Sequence, residues 1–188
     1  MRILGRHTLQ DEGSPICAEG VAMCTQTVLD GMQHDGYVFT SAHQNNVGSG
    51  NTISMFFTVA DSSTPGHVHF GYEVTCESQA LVQFYENPTR TANTGNATTP
   101  ICVNRHHPRV SAWGSDSVYK DATINIVPAT LLDIEMVGNR KQAGGLSAPL
   151  FNWFLGRGKN YCVLVTDESN GANEITIRLL WGRHVEVI

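Results

Sequence analysis

His67-Val68-His69-Phe70-Gly71-Tyr72-Glu73 is the one stretch of this chain whose residue types and spacing suit a metal. Side chains alternate faces along a strand, so His67, His69 and Glu73 point the same way. Two imidazoles and a carboxylate on one face suit a first-row transition ion. The same alternation puts Val68, Phe70, Tyr72 and Val74 on the opposite face. Only one face of a half-buried strand can join the core, and the apolar row is the one that gains by burial. The His/Glu row is therefore expected to face solvent or a neighbouring molecule, with no metal, no cofactor and no catalytic residue.

The remaining reactive residue types are scattered. His106 and His107 are adjacent, so a regular strand turns their rings apart; with Arg105 and Arg109 they form the chain's only basic cluster. No Gly-x-Ser-x-Gly elbow is present. Gly156-Arg157-Gly158 precedes a strand pattern, not a helix whose N-terminus could bind phosphate. The five cysteines (Cys17, Cys24, Cys76, Cys102 and Cys162) contain no Cys-x-x-Cys pair, which excludes a zinc ribbon or thioredoxin-like motif. Two readings stay open for them. They are buried free thiols, a common fate for cysteine, or Cys17 and Cys24 form disulfides, including between subunits.

The elements that carry these residues are strands. Ile53–Val59, His67–Val74 and Ala80–Glu86 are three successive period-two runs with breaks rich in Gly, Pro, Ser and Asp. Such runs predict strands with one buried face, and their close succession predicts an antiparallel sheet. Gly36–Thr40 is a further expected strand, followed by a polar loop over His43–Asn51. Residues 87–114 read as a long turn-rich connection crossed by a short strand at Ile101–Asn104. Ser117–Lys120, Thr123–Val127 and Leu131–Met136 are candidate strands, and Pro149–Leu155 is an apolar block. Tyr161–Thr166 and Ile175–Trp181 flank Asn170-Gly171, a hairpin signal. Trp113, Phe151, Trp153 and Phe154 lie in loop-like segments, as packing residues or as interface anchors.

About eight strands without an amphipathic helix predict an all-β, two-sheet antiparallel sandwich. A jelly roll leads, because it takes eight strands that cross between sheets; another Greek-key sandwich fits the same periods. Residues 1–35 lack a strand period and read as an extended N-terminal arm, with the β-sandwich domain over 36–188.

Composition narrows the class. Apolar residues make up 41% of the 188, enough for a core, and charged residues only 15%, against about 25% in an average soluble protein. A net charge of −5 argues against direct nucleic-acid binding, which asks for a basic stripe. No apolar run reaches the ~18 residues of a membrane span. The first residues, Met1-Arg-Ile-Leu-Gly-Arg-His-Thr, show no h-region, so no secretory leader is expected.

Two family resemblances bear on function. His67-x-His69-x3-Glu73 resembles the first motif of the cupins, metal-binding jelly rolls, but Asp61 and Ala80 stand where that motif has glycines and its second motif has no counterpart downstream. The wider resemblance is to the capsid decoration (cement or stabilising) proteins of tailed bacteriophages. It is carried by Leu81-Val-Gln-Phe-Tyr85-Glu-Asn-Pro88-Thr, by Thr99-Pro100 through Asn104-Arg105, by His34-Asp-Gly36-Tyr-Val-Phe39, and by the closing strands Tyr161–Thr166 and Asn173–Trp181. It spans roughly residues 34–182. It implies a structural, non-enzymatic virion protein made in the host cytoplasm. Such a protein binds the outside of an icosahedral head as a homotrimer and clamps neighbouring major capsid subunits. The segment around Cys17 and Cys24 has no counterpart in the family. From the residues themselves, expected contact positions are Cys17 and Cys24 on the arm and Asn104, Arg105, His106 and Arg109. A phage tail- or fibre-associated, receptor- or glycan-binding protein is the alternative, and a cupin-like metalloenzyme using His67, His69 and Glu73 a further one.

Overall fold

Alternating apolar rows fold here into strands throughout. The computed structural model describes residues 37–61, 67–106, 116–138, 145–147 and 153–184, and no helix occurs among them. The strands are β1 (Val38–Val47), β2 (Thr52–Thr58), β3 (His67–Cys76), β4 (Ala80–Glu86), β5 (Thr89–Arg90), β6 (Asn96–Thr98) and β7 (Ile101–Cys102). They continue with β8 (Ser117–Lys120), β9 (Ile124–Asn125), β10 (Thr130–Val137), β11 (Gly145–Ser147), β12 (Trp153–Leu155), β13 (Asn160–Asp167) and β14 (Asn173–His184). The expected arm over residues 1–35, with Cys17 and Cys24, lies outside the described residues, as do Arg109, Trp113 and Phe151.

Two antiparallel sheets pack face to face. One runs β11-β3-β14-β1-β7, with β12 also on β3; the other runs β10-β4-β13-β2-β8-β6; β5 and β9 form a separate pair. The long strands nest. β1 pairs with β14, β2 with β13, β3 with β11 and β12, and β4 with β10. This pairing corrects two expectations. The successive strands β2, β3 and β4 do not form one sheet, and β13 and β14 are not a hairpin; in each case the chain crosses from one sheet to the other. Periodicity dictates which face of a strand is buried, not which strand supplies its hydrogen bonds. The crossing at the β13–β14 turn is held by side chains. Asp167 Oδ1 accepts the Ser169 N–H (2.9 Å) and the Asn173 side-chain amide (3.0 Å). The Asn173 Oδ1 in turn accepts the Ser78 N–H of the β3–β4 turn at 2.9 Å. Asn173 thus ties two between-sheet turns together at one end of the sandwich.

Inward rows from both sheets make the core: Ile53, Met55 and Phe57 of β2, Val68, Phe70, Tyr72 and Val74 of β3, Val82 and Phe84 of β4, and Ile175, Ile177, Leu179 and Trp181 of β14. Aromatic rings bridge the layers. Phe57 meets Phe70 at 5.5 Å and Trp181 at 5.0 Å, and Phe70 stacks on Phe84 at 5.4 Å between centroids. Each such pair adds about 0.5–1.5 kcal/mol beyond area burial.

β1 is longer than its sequence suggests. The stretch after Thr40, read as a polar loop, continues as strand to Val47 and pairs with β14 all the way to Val47↔Asn173. Its inward row runs through Ser41, His43 and Asn45 before it reaches an apolar side chain, the buried Val47. Ser41 and Thr98 hydroxyls share a hydrogen bond of 2.7 Å, and His43 Nε2 lies 2.6 Å from Asp121 Oδ2. Polar pairs thus close the edge of the sandwich where an apolar row would have advertised a strand. Thr123–Val127, expected as a full strand, is reduced to β9. Gly138 (φ +76°) ends β10 where a Cβ would overlap the Ser78 carbonyl, so only glycine serves there.

Candidate interaction surface

His69 and Glu73 occupy the outward face of β3, since Val68, Phe70, Tyr72 and Val74 are all buried in the core. Glu73 is engaged across the sheet: its Oε2 accepts from Arg178 at 2.9 Å, in register with its β14 partner. The His69 ring meets Phe154 edge-on at 4.7 Å. Among the described residues no group of three His, Cys, Asp or Glu side chains is disposed to hold a metal ion.

Cys76 and Cys162 are buried free thiols and Cys102 is buried as well, as one of the two sequence readings has it. Burial pushes the Cys162 thiol up to about 12, and burial, with the nearby Asp167 charge, raises Cys76. A thiol held protonated is a poor nucleophile, so these two act as packing residues.

The expected polar contacts lie in the loop after β7. Asn104 Oδ1 accepts the His106 N–H at 2.9 Å, and Arg105 and His106 are exposed. Trp153, on β12, turns inward against Phe84 (5.4 Å), whereas Phe154 turns outward and is 66% exposed. Of the two, only Phe154 keeps the expected option of an interface anchor.

The outer face of the sheet that runs from β10 to β6 holds the most distinctive surface. At its β2–β13 side, Phe56 and Cys162 project outward yet are buried, under Ala122, Tyr119 and Ile124. The Arg90 guanidinium caps the Tyr119 ring at 3.8 Å and donates to the Thr94 carbonyl at 2.6 Å. The described start of the turn-rich loop and the segment around Ala122 and Ile124, joined by the β5–β9 pair, therefore form a lid. At the other side of the same face, β10 presents Leu131, Ile134 and Met136, exposed by 44%, 54% and 48%, and the preceding turn presents Ile126 and Val127. Half-buried Leu81 and Leu164 lie beside them on β4 and β13.

The edge below this strip is acidic. Asp133 and Glu135 alternate with Ile134 and Met136, so they turn toward the other sheet. Asp133 Oδ2 accepts the Tyr72 hydroxyl at 2.9 Å. Burial first, then the hydrogen bond and charge of Asp133 and the charge of Glu135, hold that phenol well above its ordinary value. Glu86, at the far end of β4, is differently employed. It accepts from Lys159 (2.7 Å) and Tyr161 (3.1 Å), and the Lys159 bond leads in holding its carboxyl below the usual range. The residues that make this surface were present in the sequence as the Leu131-Leu-Asp-Ile-Glu-Met136 alternation. What marks them as a surface is the exposure of their apolar row.

No family model, no curated protein and no solved structure matches the chain.

Proposed function

We propose that this is a structural virion protein: a non-enzymatic capsid decoration protein of a tailed phage. In this reading it is made in the host cytoplasm and binds the outer surface of the head as a homotrimer. It stabilises contacts between major capsid subunits without touching nucleic acid or membrane. We propose further that the sandwich is a jelly roll, a reading supported by the nested pairing of β1 with β14, β2 with β13, β3 with β11 and β12, and β4 with β10. The observation that carries the functional reading is the stretch Leu81–Thr89. It resembles the decoration family and falls on β4 and the turn into β5, where Asn87 (φ 58°) turns the chain back toward the lid. The charge-poor composition supports it, because surfaces made for protein contact lose less on desolvation when they carry few charges. Asn104, Arg105, His106 and Arg109 are proposed as polar contacts, and Cys17 and Cys24 as contact or cross-linking positions.

Native mass spectrometry of the purified chain, with and without reductant, tests this reading. A metal-free trimer is expected. A species that is joined before reduction and lost after it would assign Cys17 or Cys24 to chain linkage, since Cys76, Cys102 and Cys162 are buried. A monomer or dimer carrying one metal ion per chain would overturn the reading in favour of a metalloprotein.

A further inference from the structure

β10 ends its sheet, so among the described strands its outer backbone edge has no partner. Edge strands are usually blunted by being short, twisted, covered or charged. β10 is eight residues long. A bulge between Leu131 and Asp133 interrupts its pairing with β4, but from Asp133↔Phe84 to Val137↔Ala80 the register is regular. That leaves a straight stretch of about 17 Å at ~3.4 Å per residue. One side of it is the exposed row of Ile134 and Met136; the other carries Asp133 and Glu135.

The charges decide what can pair with it. A second copy of β10 laid antiparallel with its apolar row on the same face, in a register that overlaps most of Asp133–Val137, sets Asp133 against Glu135 or Glu135 against its own copy. Like charges directly opposite each other destabilise a strand pair, and an inward-pointing charge is a device that keeps edges from pairing with themselves. Asp133 also has no basic neighbour on its own strand: Thr130–Val137 contains no Lys or Arg. A strand with Lys or Arg on that face and apolar residues on the other would match both rows.

We propose that the β10 edge is a docking site for an extended polypeptide segment that alternates apolar residues with Lys or Arg. The segment adds as a seventh strand to the sheet that β10 ends. Its backbone pairs with Asp133–Val137, its apolar row covers Ile134 and Met136, and its cations meet Asp133 and Glu135. The inference does not depend on the capsid reading, because it concerns the chemistry of the incoming strand and not the protein that supplies it.

Two eight-residue peptides test it on the full chain. One alternates valine with lysine; the other has the same valines and lysines in two blocks. The alternating peptide is expected to bind saturably, more weakly as salt is raised, and to slow amide hydrogen exchange across 133–137. Glu135→Lys is expected to weaken it about tenfold, and Ile134→Lys to abolish it. Both positions are exposed, so both variants should keep the buried Trp181 fluorescence of the folded chain. Equal binding of the two peptides would reduce the effect to plain charge attraction and overturn the proposal, as would unchanged exchange in β10. Concentration-dependent self-association that protects β10 and disappears in Ile134→Lys would overturn it too, by making a second copy the occupant.

Discussion

The two ends of one sheet face differ in a single respect. At the β2–β13 end, Phe56 and Cys162 project away from the main core and are nonetheless buried, because the chain returns through Tyr119, Ala122 and Ile124 to cover them. At the β10 end, Ile134 and Met136 project the same way from the same sheet and are about half exposed. The residue types are equally apolar. The difference is whether the chain supplies its own cover, and it separates apolar residues that stabilise the fold from apolar residues available to a partner.

The largest test of this contrast is truncation at each end. Phe56→Ala should cost about 3–5 kcal/mol, as expected for a buried aromatic. Ile134→Ser should stay within about 0.5 kcal/mol, as for an exposed position. Urea unfolding of both variants measures the pair. Equal losses would mean that the β10 strip is covered in solution and that the contrast does not exist.

A second test uses pH. The Cys162 thiol is raised to about 12 by burial, and the Tyr161 phenol is raised to about 12 by burial and by Glu86, against the lowering effect of the Gly156 N–H. Unfolded, these groups ionise near 8.5 and 10. The unfolded chain therefore loses protons first, and stability must fall as pH rises from ~8.5 toward 12. Cys162→Ala should remove the larger part of that fall below about pH 10, the raised Cys76 thiol supplying the rest. If the alkaline limb keeps its shape in the variant, the thiol at the covered end is reached by solvent.

The smallest effect concerns the lid alone. Arg90→Met keeps the stem over Tyr119 and removes the charge, so it should cost about 0.5–1 kcal/mol, the value of an exposed cation–π contact, plus any loss from the Thr94 hydrogen bond. Thermal unfolding measures it. A neutral outcome would place the lid's stability in Ile124 and Ala122 instead.

Much of the sandwich was legible. The inward rows of β2, β3, β4, β13 and β14 follow from period two, as does the outward placing of His69 and Glu73. The second half of β1 was not, because Ser41 and His43 point inward and are satisfied by Thr98 and Asp121; polar inward residues erase the alternation that marks a strand. The lid was illegible for a related reason: two-residue strands such as β5 and β9 are too short to show any period. The candidate docking strand was half legible. Asp133 and Glu135 alternate with Ile134 and Met136 in the sequence, but an alternation cannot say that its apolar row is the one left outside.

By itself, the sequence determined that the chain is all-β, which side of each long strand seeks the core, and that Glu73 faces away from it. It did so because side-chain direction along a strand is a local property of the backbone. The tertiary structure decided which strands pair, that successive strands cross between sheets, and which apolar rows find cover. Those outcomes depend on contacts between residues as distant as Val38 and Gly182, and no local pattern encodes the partner at the other end of the chain.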